Sequence, residues 1–287
     1  SGSSPEYGES LFAVAAELGL QLQEIKDWNC CGASAAHSLN HKLSLALPAR
    51  SLALAEQQNL QELLVPCAAC YSRMAGTRLA LTKDAGLRQQ ISDIIELPIG
   101  SIPKSFNILD VLQRLFPMDF NGRLRHPFNY KVACYYGCLL VRPKEVAAFD
   151  RVEDPQVMDQ LMQRIGATTV DWAFKTECCG AGLSVPRTDV VARLSANILE
   201  DAVSRGAEAI IVACPMCHSN LDMRRKEIEK AAGKSYSIPI LYITQAIGLA
   251  LGLDRKKLGL HRHIVPVRLP ERAAVSATQT VAAETES

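Results

Sequence analysis

The sequence predicts an α/β protein made of two copies of one unit, each with a small, largely parallel sheet flanked by helices. Three observations carry that prediction. The cysteines recur in register. Cys30-Cys31-Gly32 precedes Cys67-Ala68-Ala69-Cys70, and Cys178-Cys179-Gly180 precedes Cys214-Pro215-Met216-Cys217, at separations of 67 − 31 = 36 and 214 − 179 = 35 residues. A helix-period stretch follows each Cys-Cys-Gly, and a short apolar run then leads into the second cysteine pair. Strand–helix–strand order with continuously apolar strands is the pattern of βαβ units in a buried parallel sheet.

Taken along the chain, the two copies agree element by element. Ser4-Pro5 predicts a helix start, with an N-cap residue and Pro at the first helical position, and Asp154-Pro155 predicts the same. Leu11, Val14, Ala15 and Leu18 then lie on one helix face, as do Met158, Leu161, Met162 and Ile165. Gly19 and Gly166 are placed to end these helices in the left-handed conformation. A short strand is expected after each, closing on Asp27-Trp28 and Asp171-Trp172, which hold the only two Trp residues of the chain. Val191, Leu194, Ile198 and Ala202 share a face of the next helix, which Gly206 stops. Ala209 to Ala213 is an apolar run that delivers Cys214, and Leu63-Leu64-Val65 delivers Cys67 likewise. Ligands of such sheets sit beyond the carboxyl ends of the strands, where these cysteines fall.

The expected division is a first unit over residues 1–98, a linker with one helix over 99–128, a second unit over 129–267 and a disordered tail over 268–287. Pro98, Gly100, Pro103, Pro117, Gly122 and Pro127 punctuate the linker, and its helix runs from Ile108 to Phe116. The tail is Ala, Ser, Thr and Glu with few large apolar residues. The opening Ser1-Gly2-Ser3-Ser4 has no Met and reads as a fragment whose start was removed.

With 48% hydrophobic and 21% charged residues, the composition is that of a globular protein. A formal net charge of +1 gives no basic excess for nucleic acid. Pro239 to Leu253, the most apolar stretch, is too short to span a membrane and reads as a buried strand running into a helix.

Ten cysteines are too many for chance and too sparse for a secreted disulfide scaffold. Tight Cys-Cys and Cys-x-x-Cys pairs in a long chain read as metal ligands in a reducing compartment, the cytoplasm. Thiolates select zinc, cuprous copper or iron–sulfur clusters. Four cysteines per half suit tetrahedral zinc, although adjacent cysteines diverge and serve two irons of one cluster more readily. Cys138, at the end of the apolar run from Tyr130 to Ala133, gives the second half a fifth thiolate, one more than zinc takes. Cys134, four residues earlier, reads as a small buried hydrophobe.

At these residues the chain resembles the CCG-domain proteins. Tyr136-Gly137-Cys138-Leu139-Leu140-Val141-Arg142-Pro143, together with Cys214-Pro215-Met216-Cys217-His218-Ser219-Asn220-Leu221-Asp222, is similar to the B-type subunit of heterodisulfide reductase. The resemblance covers all but the tail. It implies two CCG units related by a pseudo-two-fold axis, each holding a noncubane 4Fe–4S cluster on five cysteines, with a disulfide substrate cleaved or formed between the clusters. The pattern carries over in full onto Cys138, Cys178, Cys179, Cys214 and Cys217. Onto the first half it carries as Cys30, Cys31, Cys67 and Cys70, with the family's first cysteine falling ahead of Ser1 and zinc the alternative occupant. The implied partners are a ferredoxin-like iron–sulfur protein of the C type, a flavin-containing one of the A type, and a disulfide or thiol. The alternatives are an electron-transferring CCG subunit of a lactate-, glycolate- or succinate-oxidising complex, and a zinc-stabilised scaffold with no enzymatic role.

Other candidates carry less. His218, beside Cys217, could give a proton to a departing thiolate; the plainer reading is a residue that hydrogen-bonds a cluster sulfur or caps the helix. Arg142 and Lys144 read as solvated charge, and Arg224-Arg225-Lys226 as an exposed helix face. His261 and His263 are not expected to be ligands. His37 and His41 stand four apart on one predicted helix with no third ligand in register. No Gly-x-Gly-x-x-Gly is present to hold a nucleotide.

Overall fold

The computed structural model describes residues 4–33, 36–116, 120–147 and 149–271. The first half runs α1 (Pro5–Glu17), α2 (Ala36–Leu39), α3 (His41–Gln57), β1 (Glu62–Leu64), α4 (Ala68–Lys83), α5 (Ala85–Ile95), β2 (Lys104–Phe106) and α6 (Ile108–Leu115). The second half runs β3 (Lys131–Tyr135), α7 (Val157–Arg164), β4 (Thr168–Thr169), α8 (Thr188–Ser204), β5 (Ala209–Val212), α9 (Pro215–Asp222), α10 (Arg225–Ala232), β6 (Ile240–Tyr242) and α11 (Ile243–Ala250). From residue 272 onward, the tail expected to be disordered lies outside the described residues.

Every pairing among the described strands is parallel. One sheet is β1-β2; the other has the order β4-β3-β5-β6. The α/β reading with two like units is therefore correct. β5 is paired on both edges, and Ala209, Ile210, Ile211 and Val212 have no exposed surface. Burying each Ile contributes about 2 kcal/mol. Residues 99–128 hold α6 and also β2, which pairs with β1 in the register Glu62↔Lys104 and so joins the sheet of the first half.

The helices are exchanged between halves. α1 packs on α11, and α7 packs on α6. Each half thus lays its first helix against the last helix of the other. Ser10 Oγ lies 2.7 Å from Thr244 Oγ1 in one contact, and Arg164 Nη1 donates to Phe116 O at 3.0 Å in the other. α1 and α6 consequently belong to the large core of the second half, while residues of α3, α4 and α5 form most of two smaller cores.

Four expectations need correction. α7 does not open at Asp154-Pro155. Asp150 caps it instead, its carboxylate accepting from Gln156 N at 2.9 Å and Val157 N at 2.8 Å, while Asp154 is taken by Lys175 and the Gln156 side chain. Residues 20–25 form no strand, because no described strand lies beside them as β3 lies beside β4. His37 and His41 stand on separate helices, since Asn40 Oδ1 caps α3 by accepting from Leu43 N. Arg225 is buried rather than exposed. It donates to the carbonyls of Leu221, Tyr236 and Ile238 at 3.3, 2.9 and 3.0 Å, and so ties α10 to the segment entering β6. No helix among the described residues is long and apolar enough to cross a membrane.

Arg225→Ala strands those carbonyls without a donor. The expected loss is on the order of 3 kcal/mol, seen as a lower urea midpoint at unchanged slope. A midpoint equal to wild type would show that the three bonds are replaced without cost.

Candidate metal centre

All ten cysteines are free thiols, and the fold brings most of them to one place. Strand ends and helix starts do the positioning. β1 leads to Cys67, the N-cap of α4, with Cys70 one turn in; β5 leads to Cys214, the N-cap of α9, with Cys217 one turn in. Thiolates at helix N-termini are favoured by the exposed amides there. Gly32 and Gly180 follow the two Cys-Cys pairs with φ of +67° and +77°. A Cβ on Gly180 would stand 3.1 Å from Val191 Cγ2, and one on Gly32 would stand 2.6 Å from Leu47 Cδ1, so the third residue of each motif has to be Gly.

The sulfurs form a continuous path. Cys31 Sγ lies 3.1 Å from Cys70 Sγ. Cys67 lies near enough to Cys70 and to Cys214, and Cys214 near enough to Cys217, that each thiol shifts the ionisation of its neighbour. Cys217 Sγ is 3.6 Å from Cys179 Sγ. Cys138 and Cys178 stand beside this group, close enough to shift each other's ionisation. The two cysteine groups therefore touch, through Cys67 of one half and Cys214 of the other. Cys30 is exposed and lines the same cleft as Cys31, Cys67 and Cys70, a space of about 960 Å³. In the second half the thiols close on one another around a cavity of about 20 Å³, lined by Cys138, Cys179, Cys214 and Cys217. Met216 lines both spaces. Cys134 stands apart, fully buried in β3, and burial pushes its thiol up.

Within each group, protons are held by some thiols so that others ionise. The Cys31 and Cys67 hydrogen bonds hold Cys70 down to about 4, and the Cys138 hydrogen bond holds Cys178 down to about 6, with the Gly180 and Ala181 amides assisting. Cys214 is also held low, by Cys217 and then Cys67. Their donors Cys31, Cys67, Cys138 and Cys217 are pushed up by those same bonds. A set of soft donors with thiolates already favoured suits a thiophilic metal.

Several supporting residues were not foreseen from sequence. Lys175 is buried, 3.3 Å from Asp159 and 3.4 Å from Asp154. Its carbonyl accepts from Tyr136 N at 2.9 Å and Gly137 N at 3.1 Å, which pins the turn before Cys138 to the loop before Cys178. Tyr136 hydroxyl donates to Asp159 Oδ2 at 2.7 Å and accepts from Met158 N. Gly137, at φ +66°, leaves room for Cys217 Sγ, which would lie 3.1 Å from a Cβ there. Asn220 Nδ2 donates to Cys179 O at 3.0 Å and to its sulfur at 3.5 Å. Asn220 falls in the Cys214-to-Asp222 motif, one turn past Cys217, but the motif assigns it no role. Arg142 pairs with Glu153 at 2.6 Å.

His218 is turned into a different network. Its ring stacks on Tyr242 at 4.3 Å, and its Nε2 lies 3.4 Å from His263 Nδ1. Burial pushes its basicity down, so the imidazole is neutral. No hydrogen bond joins it to a cysteine sulfur among the described residues. His218, Asp222 and His263 lie within 4.8 Å of one another, the spacing of a metal site. Their hydrogen bonds assign other work. Gln245 Oε1 accepts from Tyr242 N, so its Nε2 faces His263 Nε2 at 2.8 Å as donor, which leaves the His263 proton on Nδ1, pointing at His218. Asp222 accepts from Ile264 N and Val265 N at 2.8 and 3.1 Å. The group latches residues 263–265 onto α9.

Two segments, residues 1–75 and 132–222, match the family model described as Cysteine-rich domain, named CCG. They span more than half of the chain, and the chain belongs to that family. Among characterised proteins, it is 30% identical over 263 residues to the 8-methylmenaquinol:fumarate reductase membrane anchor subunit of Wolinella succinogenes, covering 91% of this chain and 92% of that one. It is 29% identical over 263 residues to the B-type subunit of the ferredoxin:CoB-CoM heterodisulfide reductase of Methanosarcina mazei, covering 88% and 87%. The resemblance to heterodisulfide reductase read from the cysteine motifs thus holds along most of the chain. A crystal structure of a hypothetical protein from Helicobacter pylori shares the fold, with a TM-score of 0.76 over 92% of this chain and 50% of that one, at 13% identity.

The lowered Cys178 thiol is exposed, which makes it open to test. Its thiolate is populated above about pH 6. Iodoacetamide labelling of Cys178 in the metal-free chain should therefore be fast at pH 7 and fall off through about pH 6, as read by peptide mapping. A midpoint in the ordinary thiol range would mean that Cys138 does not hold it down.

Proposed function

We propose that this chain is the iron–sulfur subunit of a heterodisulfide reductase-type complex, and that it cleaves or forms a disulfide where its two cysteine groups meet. One observation supports the reading: the two cysteine groups adjoin, with Cys31 against Cys70 in one half, Cys179 against Cys217 in the other, and Cys67 and Cys214 coupled between them. A disulfide has two sulfurs to part, and this junction offers one group of thiol ligands to each side.

Cys138, Cys178, Cys179, Cys214 and Cys217 would hold the second 4Fe–4S cluster, of noncubane type, and Cys30, Cys31, Cys67 and Cys70 would hold the first. Five converging thiols exceed the four that zinc takes, which supports iron–sulfur over zinc in the second half. When bound, the clusters supply one-electron chemistry and irons with affinity for sulfur. The chain's own part is to hold the ligands in place and to favour the thiolate at Cys70, Cys178 and Cys214. Cys67 and Cys214 bring the groups together, Met216 covers the junction with an apolar side chain, and Lys175 and Asn220 hold the loops of Cys138 and Cys179. Electrons would come from a ferredoxin-like subunit and, behind it, a flavin-containing one. Ten free thiols fit a reducing compartment such as the cytoplasm.

A second reading is supported by the fumarate reductase relative: a subunit that passes electrons without touching a disulfide. The same thiols serve either role. Oxidation of the reduced complex by added disulfide, followed through the flavin, separates the two. Electron flow only to a non-sulfur acceptor would select the second reading.

Metal analysis after anaerobic reconstitution tests the ligand assignment. Cys179→Ala is expected to remove about half of the iron and sulfide, and Cys134→Ala to remove none. Zinc in place of iron, or iron loss on replacing Cys134 with none on replacing Cys138, would overturn it.

A further inference from the structure

The two cysteine groups are joined by more than their sulfurs. Tyr7, on α1, is 2% exposed. Its hydroxyl donates to Pro66 O at 3.1 Å and lies 3.3 Å from Ala213 O, so that one proton is shared between two acceptors. Those carbonyls occupy equivalent places. Pro66 directly precedes Cys67, and Ala213 directly precedes Cys214, each at the step from strand into cysteine-capped helix. The hydroxyl therefore sits between the halves at the point where their near-symmetry places one carbonyl on either side.

The ring behind that hydroxyl is immobilised by the second half. It stacks on Tyr242 at 4.2 Å with an interplanar angle of 5°, and Tyr242 in turn stacks on His218. Ser10, one turn along α1, is anchored to Thr244. The stack holds Tyr7 against β6 and α11, while the bond to Pro66 reaches back to the first half. No other side chain among the described residues bonds to the residues preceding both Cys67 and Cys214.

We propose that Tyr7 is a positioning residue that sets the distance between the two cysteine groups, acting through the Pro66 and Ala213 carbonyls. This rests on reading the two groups as parts of one site. Losing the hydroxyl frees the two strand-to-helix turns from each other while leaving each group internally intact. Phe at this position keeps the ring, its stacking and its volume, so a purely packing role would not register the change.

The test uses the metal-free chain and diamide, which takes up two electrons and two protons as two thiols join in a disulfide. Peptide mapping then gives the yield of Cys67–Cys214 cross-link relative to Cys179–Cys217, a pair within the second half that serves as internal standard. In Tyr7→Phe this ratio should fall about fivefold, the change that loss of one ordinary hydrogen bond produces. Tyr242→Phe, which keeps the stack, should leave it at the wild-type value. An unchanged ratio in Tyr7→Phe overturns the proposal. If that variant does not fold, Tyr242→Ala decides: it retains the hydroxyl but removes the surface that holds it, and a lowered ratio supports the proposal while an unchanged one overturns it. Because no metal is present, an iron analysis that removed the cluster reading would leave this result intact, and the reverse also holds.

Discussion

The enclosure of β5 between β3 and β6 is the constraint on which the candidate centre depends. The register Cys134↔Ile211 and Tyr135↔Val212 brings the two strands to an end side by side. Cys138 and Cys214 then leave from neighbouring points. A slip of one residue would turn the side chains of β5 to the opposite face and carry Cys214 with them. With no surface of β5 exposed, such a slip would bring no polar side chain to water in exchange for the packing it disrupts. The thiol geometry is thus secured by a strand that bears no ligand within it.

The first half meets the same demand with less. β1 pairs with β2 alone, and its thiols, although Cys31 and Cys70 lie 3.1 Å apart, line an open cleft. The difference matters chemically. Cys179, Cys214 and Cys217 are buried from solvent and oxidants, whereas each half leaves one thiol, Cys30 or Cys178, exposed to both. The two groups share a motif but not an environment, and the shared contact at Cys67 and Cys214 lets each affect the ionisation of the other.

Much of this was legible from sequence because the features concerned are local. Gly19 and Gly166 both take positive φ at helix ends, Gly32 and Gly180 both take it after the cysteine pairs, and the apolar run of β5 admits no other environment. What escaped depends on distant partners. Asp154-Pro155 has the form of a helix start, but Lys175 claims the carboxylate and Asp150 caps α7 instead. Arg225 sits in a charged run that reads as surface, and only the return of the chain at Tyr236 and Ile238 shows it buried. The two Trp residues repeat in sequence but not in setting: Trp172 is buried and donates to Cys134 O, while Trp28 is 44% exposed. Which sulfurs touch could not be read at all, since spacing places cysteines on turns and not turns against one another.

The exchange of first helices has a consequence for how such a chain can come to exist. A product of half the length would carry a first helix whose apolar face finds no surface in its own body, and a last helix that lacks its cover. Two such products could satisfy each other only by associating about a two-fold axis, each lending its helix to the other. A chain carrying one such unit would gain the same cover by pairing with a second copy, and joining two units in one chain supplies it without association.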